Sequence, residues 1–195
     1  MKKLKLIGDS ILEYMPKNKL NGIEERHAYE NIYTALLHKL YPQFKDSPAD
    51  INIFCEGIND YFRAYYDEDF KKLTTEEIIC GLTHFIGEIK NDNNGELIVM
   101  SLLPIRQTMP WETYYGEVSK EIPIVNAKIQ EFCKNNNITF LDAYSHFADE
   151  NGIMKEELST DGVHPSQDIG YSLLSSLINN EIKRIEENEN NTIEM

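Results

Sequence analysis

Apolar positions along the chain alternate between short continuous runs and longer stretches at helical spacing. Leu4, Leu6 and Ile7 make the first run, of the kind a buried parallel strand carries. From about Ala28 to Leu40, the residues Ile32, Leu36, Leu37 and Leu40 recur at helical spacing, and Pro42 stops the helix they predict. Ile51–Cys55 reads as a second strand, ended by Gly57. Thr74 to Lys90 reads as a helix, with Thr74 and Glu77 forming a capping box and Ile78, Leu82, Ile86 and Ile89 marking one face. Leu97 to Leu103 is a strand closed by Pro104, Val125, Ile129, Phe132 and Cys133 set a helix on the core, and Ile138 to Leu141 is a further strand. The last helix starts near Ser166, its N-cap, and buries Ile169, Leu173, Leu174, Leu177, Ile178 and Ile182.

Strands alternating with helices predict an α/β fold, a three-layer α/β/α sandwich around a central parallel sheet. A short strand near Gly22-Ile23 brings the sheet to about five strands. The 195 residues suit one domain, taken as 1–185, followed by a Glu- and Asn-rich tail at 186–195 that is expected to fray. A net charge of −14 leaves no basic stripe to neutralise phosphates, which excludes a nucleic-acid surface. No apolar run reaches the length of a membrane span. Cys55, Cys80 and Cys133 are odd in number and lack metal-binding spacing, so they read as reduced, buried small hydrophobes in a cytoplasmic protein. His27, His38, His84 and His146 also lack ligand spacing, and neither a metal nor a cofactor is expected.

In such a fold the chemistry sits in the loops after the strands. Gly8-Asp9-Ser10 ends the first strand, Gly57-Ile58-Asn59-Asp60 follows the second, and Asp161-Gly162-Val163-His164 precedes the last helix. A serine hydroxyl becomes nucleophilic when a base takes its proton, and His164 suits that task near neutral pH. Asp161, three residues earlier across a glycine turn, can fold back to hold the imidazole in one tautomer. The Asn59 amide and the Ser10 backbone N–H are the candidate oxyanion donors. Each segment also has a plainer reading: Asn59-Asp60 as a turn or helix cap, His164 as a surface histidine.

The three segments, in this order and with the last just before the final helix, resemble the SGNH, or GDSL-type, hydrolase family. The resemblance implies a flavodoxin-like sheet and places the nucleophile at Ser10, the oxyanion asparagine at Asn59, and the acid and base at Asp161 and His164. It also implies a further oxyanion donor from a glycine that follows an Asn-x-Gly stretch. Lined up on Gly22-Ile23, that position falls on Glu25, whose backbone N–H would have to serve.

The expected activity is a serine esterase acting on a small-molecule ester, with a short acyl or O-acetyl group on carbohydrate favoured over a lipid. Lysophospholipase or thioesterase chemistry is the alternative within that class, and a non-catalytic flavodoxin-like binding module is the alternative outside it. The aromatic segments Tyr61–Tyr66 and Trp111–Tyr115 follow strand ends and should border the pocket, as lid packing for the most part. Arg106 is placed where it would meet an anionic substrate.

Overall fold

A computed structural model describes residues 1–107 and 112–193 of the chain. Five strands pair in parallel in the order β2-β1-β3-β4-β5. They are β1 (Lys2–Gly8), β2 (Gly22–Ala28), β3 (Ile51–Cys55), β4 (Glu96–Met100) and β5 (Thr139–Leu141). The helices are α1 (Ser10–Glu13), α2 (Thr34–Leu40), α3 (Ile58–Tyr66), α4 (Thr75–Asp92), α5 (Glu112–Asn135), α6 (Tyr144–Phe147) and α7 (Ile169–Ile193).

The period-two alternation of strand side chains divides the apolar residues between two layers. Ile7, Phe54 and Val99 lie in one core with Leu37 of α2, Leu82 and Phe85 of α4, and Val125 of α5. Leu6, Ile53 and Ile98 lie in the other with Leu12 of α1 and Leu174, Ile178 and Ile182 of α7. Burial on both faces explains why β3 and β4 are almost continuously apolar. Lys5 is a charged exception, fully buried in the first strand. Its ammonium donates to the carbonyls of Phe44 and Lys45 and to Asn93 Oδ1, at 3.3, 3.1 and 3.2 Å. These acceptors lessen the cost of burial, although desolvation still pulls its pKa below the usual lysine value.

The capping box of α4 forms in both directions: Thr74 Oγ1 accepts from the N–H of Glu77, whose carboxylate accepts from the N–H of Thr74. Several boundaries differ from those read off the pattern. The edge strand β2 runs for seven residues, to Ala28, so α2 begins only at Thr34. Its sequence, Gly-Ile-Glu-Glu-Arg-His-Ala, has little apolar signal because one side of an edge strand faces solvent. The last helix begins at Ile169 and leaves that residue exposed, while Ser166, four residues upstream of Gly170, accepts from the Gly170 N–H. That helix continues to Ile193, so 186–193 extend it instead of leaving it, and Lys2 pairs with Glu189 at 2.5 Å. Cys55 and Cys133 are buried as expected, but Cys80 is exposed on α4, and all three are free thiols. Among the described residues no helix is long and apolar enough to cross a membrane.

Candidate active site

The strand order reverses direction between β1 and β3, and ligands of open α/β sheets bind where that switch occurs, beyond the carboxyl ends of the strands. Gly8 and Cys55 are register partners at those two ends. A side chain at Gly8 would put its Cβ 2.0 Å from the Cys55 carbonyl oxygen, so only glycine lets β1 turn here. Asp9 then caps α1, accepting from the Ile11 N–H at 2.9 Å, and Ser10 becomes the first residue of that helix. On the neighbouring strand, Gly57 at φ 127 turns the chain into α3 and brings Asn59 into its first turn.

Before α7, Gly162 at φ 85 folds the chain back so that Asp161 and His164 meet. Ser10 Oγ lies 2.9 Å from His164 Nε2, and His164 Nδ1 lies 2.6 Å from Asp161 Oδ2. The other oxygen, Asp161 Oδ1, accepts from the backbone N–H groups of Val163 and His164 at 2.9 and 2.8 Å. Burial opposes ionisation of Asp161, but hydrogen bonds from the His164 ring and these two amides outweigh it and hold the carboxyl well below the usual range. The imidazole therefore faces a fixed anion on one nitrogen and a hydroxyl on the other.

Asn59 is buried, and its Nδ2 has no hydrogen-bond partner among the described residues. Buried amide donors are rarely left bare, so this one points to an acceptor supplied from outside the chain. Three acids near the two strand ends, Asp9, Glu56 and Asp60, are buried. Asp60 accepts from the N–H and Oγ1 of Thr34 at 3.0 and 2.7 Å, and Glu56 Oε1 accepts from the Gly57 N–H at 3.1 Å. Asp9, Glu56 and Asp60 are all pushed above the ordinary carboxyl range, desolvation being the first cause in each case.

The structure brings Ser10, His164 and Asp161 together and sets Asn59 in the first turn of α3, just past the adjoining strand. Glu25 is a correction. It is an interior residue of β2, paired with Lys5 three residues before the strand end, and its carboxylate engages His27 at 2.7 Å. Its backbone is committed to the sheet, below the edge where Ser10 stands. The loop beyond β2 at that edge is Tyr29–Ile32 instead, anchored by the Tyr29 N–H on the Gly8 carbonyl and turning at Asn31 with φ 55.

Arg106 also differs from its expected role. Its N–H donates to the Gly162 carbonyl at 2.8 Å and its guanidinium to the Ser159 carbonyl at 2.9 Å. It braces the loop that carries Asp161 and His164, aided by Ser159 Oγ, which accepts from the Gly162 N–H. Tyr14 was not singled out by sequence; its ring centroid stands 5.2 Å from that of His164. Tyr61 is buried in the core and Phe62 packs against it, while Trp111 lies outside the described residues.

Comparison with known proteins agrees with this geometry. The sequence matches the GDSL-like lipase/acylhydrolase family over residues 6–171. The chain belongs to that family. Among solved structures it resembles a GDSL-like lipase from Bacteroides thetaiotaomicron, with a TM-score of 0.76 and 19% identity over 94% of this chain and 89% of the other. It also resembles an acetylxylan esterase from Geobacillus stearothermophilus, with a TM-score of 0.71 and 19% identity over 93% and 94% of the two chains. A lipase/acylhydrolase from Enterococcus faecalis gives a TM-score of 0.70 and 21% identity over 94% and 96%. At these identities the likeness establishes a shared GDSL hydrolase fold. No curated protein matches the sequence significantly.

Proposed function

We propose that this GDSL-family hydrolase is a serine esterase that cleaves short-chain carboxylic esters, O-acetyl groups on carbohydrate among them, through an acyl-enzyme. The observation that carries the reading is the continuous chain from Ser10 Oγ to His164 Nε2 at 2.9 Å and from His164 Nδ1 to Asp161 at 2.6 Å. Ser10 Oγ attacks the ester carbonyl carbon as His164 takes its proton, and the carbonyl oxygen becomes an anion. The Ser10 N–H and the unpartnered Asn59 amide are the donors that meet it. Collapse expels the alcohol, which leaves with the proton from His164. Water then attacks the acyl-serine with His164 again as base, releasing the acid and restoring the Ser10 hydroxyl. Asp161, held ionised, stabilises the imidazolium in both halves.

A short acyl group is favoured by the recess against the Ser10 turn, lined by Ile11, Cys55, Ile58, Leu102, Ile105 and Val163 among others. The recess is narrow and walled mostly by apolar side chains, which suits a small acyl group better than a fatty chain. The acetylxylan esterase among the similar structures supports the carbohydrate side of the proposal. Three free thiols fit a reducing cytoplasm.

The test pairs a fluorophosphonate label with a substrate series. Mass spectrometry should find the adduct on Ser10, and none should form on Ser10→Ala. Turnover of p-nitrophenyl esters should fall as the acyl chain lengthens, and acetylated xylo-oligosaccharides should release acetate. An adduct elsewhere would overturn the mechanism, and a preference for long chains would replace the short-acyl reading with lysophospholipase or thioesterase chemistry.

A further inference from the structure

On the face of the sheet where α2 and α4 pack together, two histidines and a glutamate meet. No spacing along the chain links His38 with the other two, and the fold brings them together. His84 and Glu88 are one turn apart on α4, and His38 lies in the last turn of α2. Glu88 uses both oxygens: Oε2 contacts His38 Nε2, and Oε1 lies 3.5 Å from His84 Nε2. The two imidazoles stand edge to face with centroids 5.6 Å apart. One potential ligand atom from each residue lies within 4.8 Å of the other two.

We propose that His38, His84 and Glu88 form a divalent transition-metal site, with zinc as its natural class of ion, that clamps α2 to α4. Two imidazole nitrogens and one carboxylate oxygen make a ligand set that suits zinc and its borderline neighbours and does not suit calcium or magnesium. In a tetrahedral zinc site with bonds of roughly 2.0–2.1 Å, ligand atoms are separated by roughly 3.3 Å. From a spread of at most 4.8 Å, small rotations of three partly exposed side chains reach that geometry. Both rings present Nε2, so each would carry its remaining proton on Nδ1. His38 is already oriented from behind, because its ring rests 5.0 Å from that of the fully buried Phe85. His84 is well exposed, which leaves the fourth position to water.

The site is separate from the esterase centre and does not depend on that reading. The chain passes from α4 into the start of β4, so the Glu88 end of α4 lies toward the amino edge of the sheet, opposite Ser10. A clamp here would nonetheless bear on the centre indirectly, since Thr34 at the start of α2 donates twice to Asp60, next to Asn59.

The plain alternative is that protonated histidines merely pair with Glu88. To separate the two, the metal-stripped protein is titrated with ZnCl₂ by calorimetry, and with Co²⁺ while its d–d absorption is recorded. Expected are one equivalent of zinc per chain, tetrahedral cobalt bands, and a thermal midpoint raised by a few degrees at saturating metal. His38→Gln, His84→Ala and Glu88→Gln should each weaken zinc binding by about tenfold or more while remaining folded by circular dichroism. Cys80→Ser, one turn earlier on the exposed side of α4, and His146→Gln should leave the affinity unchanged. Absence of saturable zinc uptake would overturn the proposal. So would full affinity in folded His84→Ala or His38→Gln, or loss of binding in Cys80→Ser alone.

Discussion

Two sets of carboxyl groups meet at the carboxyl edge of this sheet, and they are held in opposite states. Asp161, on the rim with half its side chain exposed, receives the His164 ring and two backbone amides and is kept ionised. Asp9, Glu56 and Asp60 are almost wholly buried and pushed toward the neutral form by desolvation. Asp9 and Glu56 each leave one oxygen without a partner. The same functional group thus does two jobs, decided by the number of donors it meets and by its access to water. For the proposed reaction this is the useful arrangement. An imidazolium is favoured by one nearby anion, while a developing oxyanion is opposed by several, so the buried acids serve best as neutral groups.

The contrast is broken hardest by removing the rim charge. Asp161→Asn should lower kcat for p-nitrophenyl acetate by up to about 10⁴-fold, the loss seen when a serine triad in another fold is left with the wrong imidazole tautomer. Asp9→Asn, which alters a group already held near neutrality, should stay within about tenfold of the parent in the same assay. Equal losses in the two variants would erase the distinction.

Asn59→Ala comes next. It should cost on the order of 10²–10³ in kcat with little change in KM, because its hydrogen bond strengthens only as the oxyanion forms. A parent-like kcat would reduce Asn59 to a helix-cap residue.

The pH dependence of stability sharpens the comparison from the other side. Asp161 has a depressed folded pKa, so its stabilisation is present above its unfolded pKa, near 3.9, and is lost as pH falls further toward the folded value. The buried three have raised folded pKa values, so their contribution is complete below the unfolded values and is lost as pH rises through the folded ones. Glu56→Gln keeps an acceptor for the Gly57 N–H but removes the titration. In urea denaturation it should gain on the parent by on the order of 1 kcal/mol near about pH 8 and by less near about pH 5. A gain that shrinks as pH rises would mean that Glu56 is stabilised as an anion.

The smallest effect is expected at Glu25. As an interior residue of β2 away from the site, Glu25→Gln should leave kcat unchanged within about twofold. A large loss there would mean that the Glu25 carboxylate bears on the site in spite of its place in the strand.

The segments proposed to carry the chemistry were legible because each needs particular residues locally. Gly8 is dictated by the Cys55 carbonyl, Gly162 by a left-handed turn, and the Asp161-to-His164 spacing by that turn. The buried strands and the capping box of α4 were legible for the same reason, since a continuous apolar run or a Thr-x-x-Glu pattern states its own requirement. The edge strand was not. Glu24, Glu25 and Arg26 show no clear alternation, so the pattern alone does not mark the length of β2, and the expected donor position falls in its interior. Arg106 and Lys5 were opaque too, because their partners are carbonyls from segments far along the chain.

The sequence by itself determined the alternation of elements, the family, and which four side chains would gather at one edge: Ser10, Asn59, Asp161 and His164. These follow from local backbone requirements and from periodicities that need no long-range information. Only the tertiary structure decided the protonation contrast among the carboxyl groups, the bracing by Arg106 of the loop that carries Asp161 and His164, and the meeting of His38 with His84 and Glu88. Desolvation and long-range contact depend on which surfaces the packed layers close, and the order of residues does not state that.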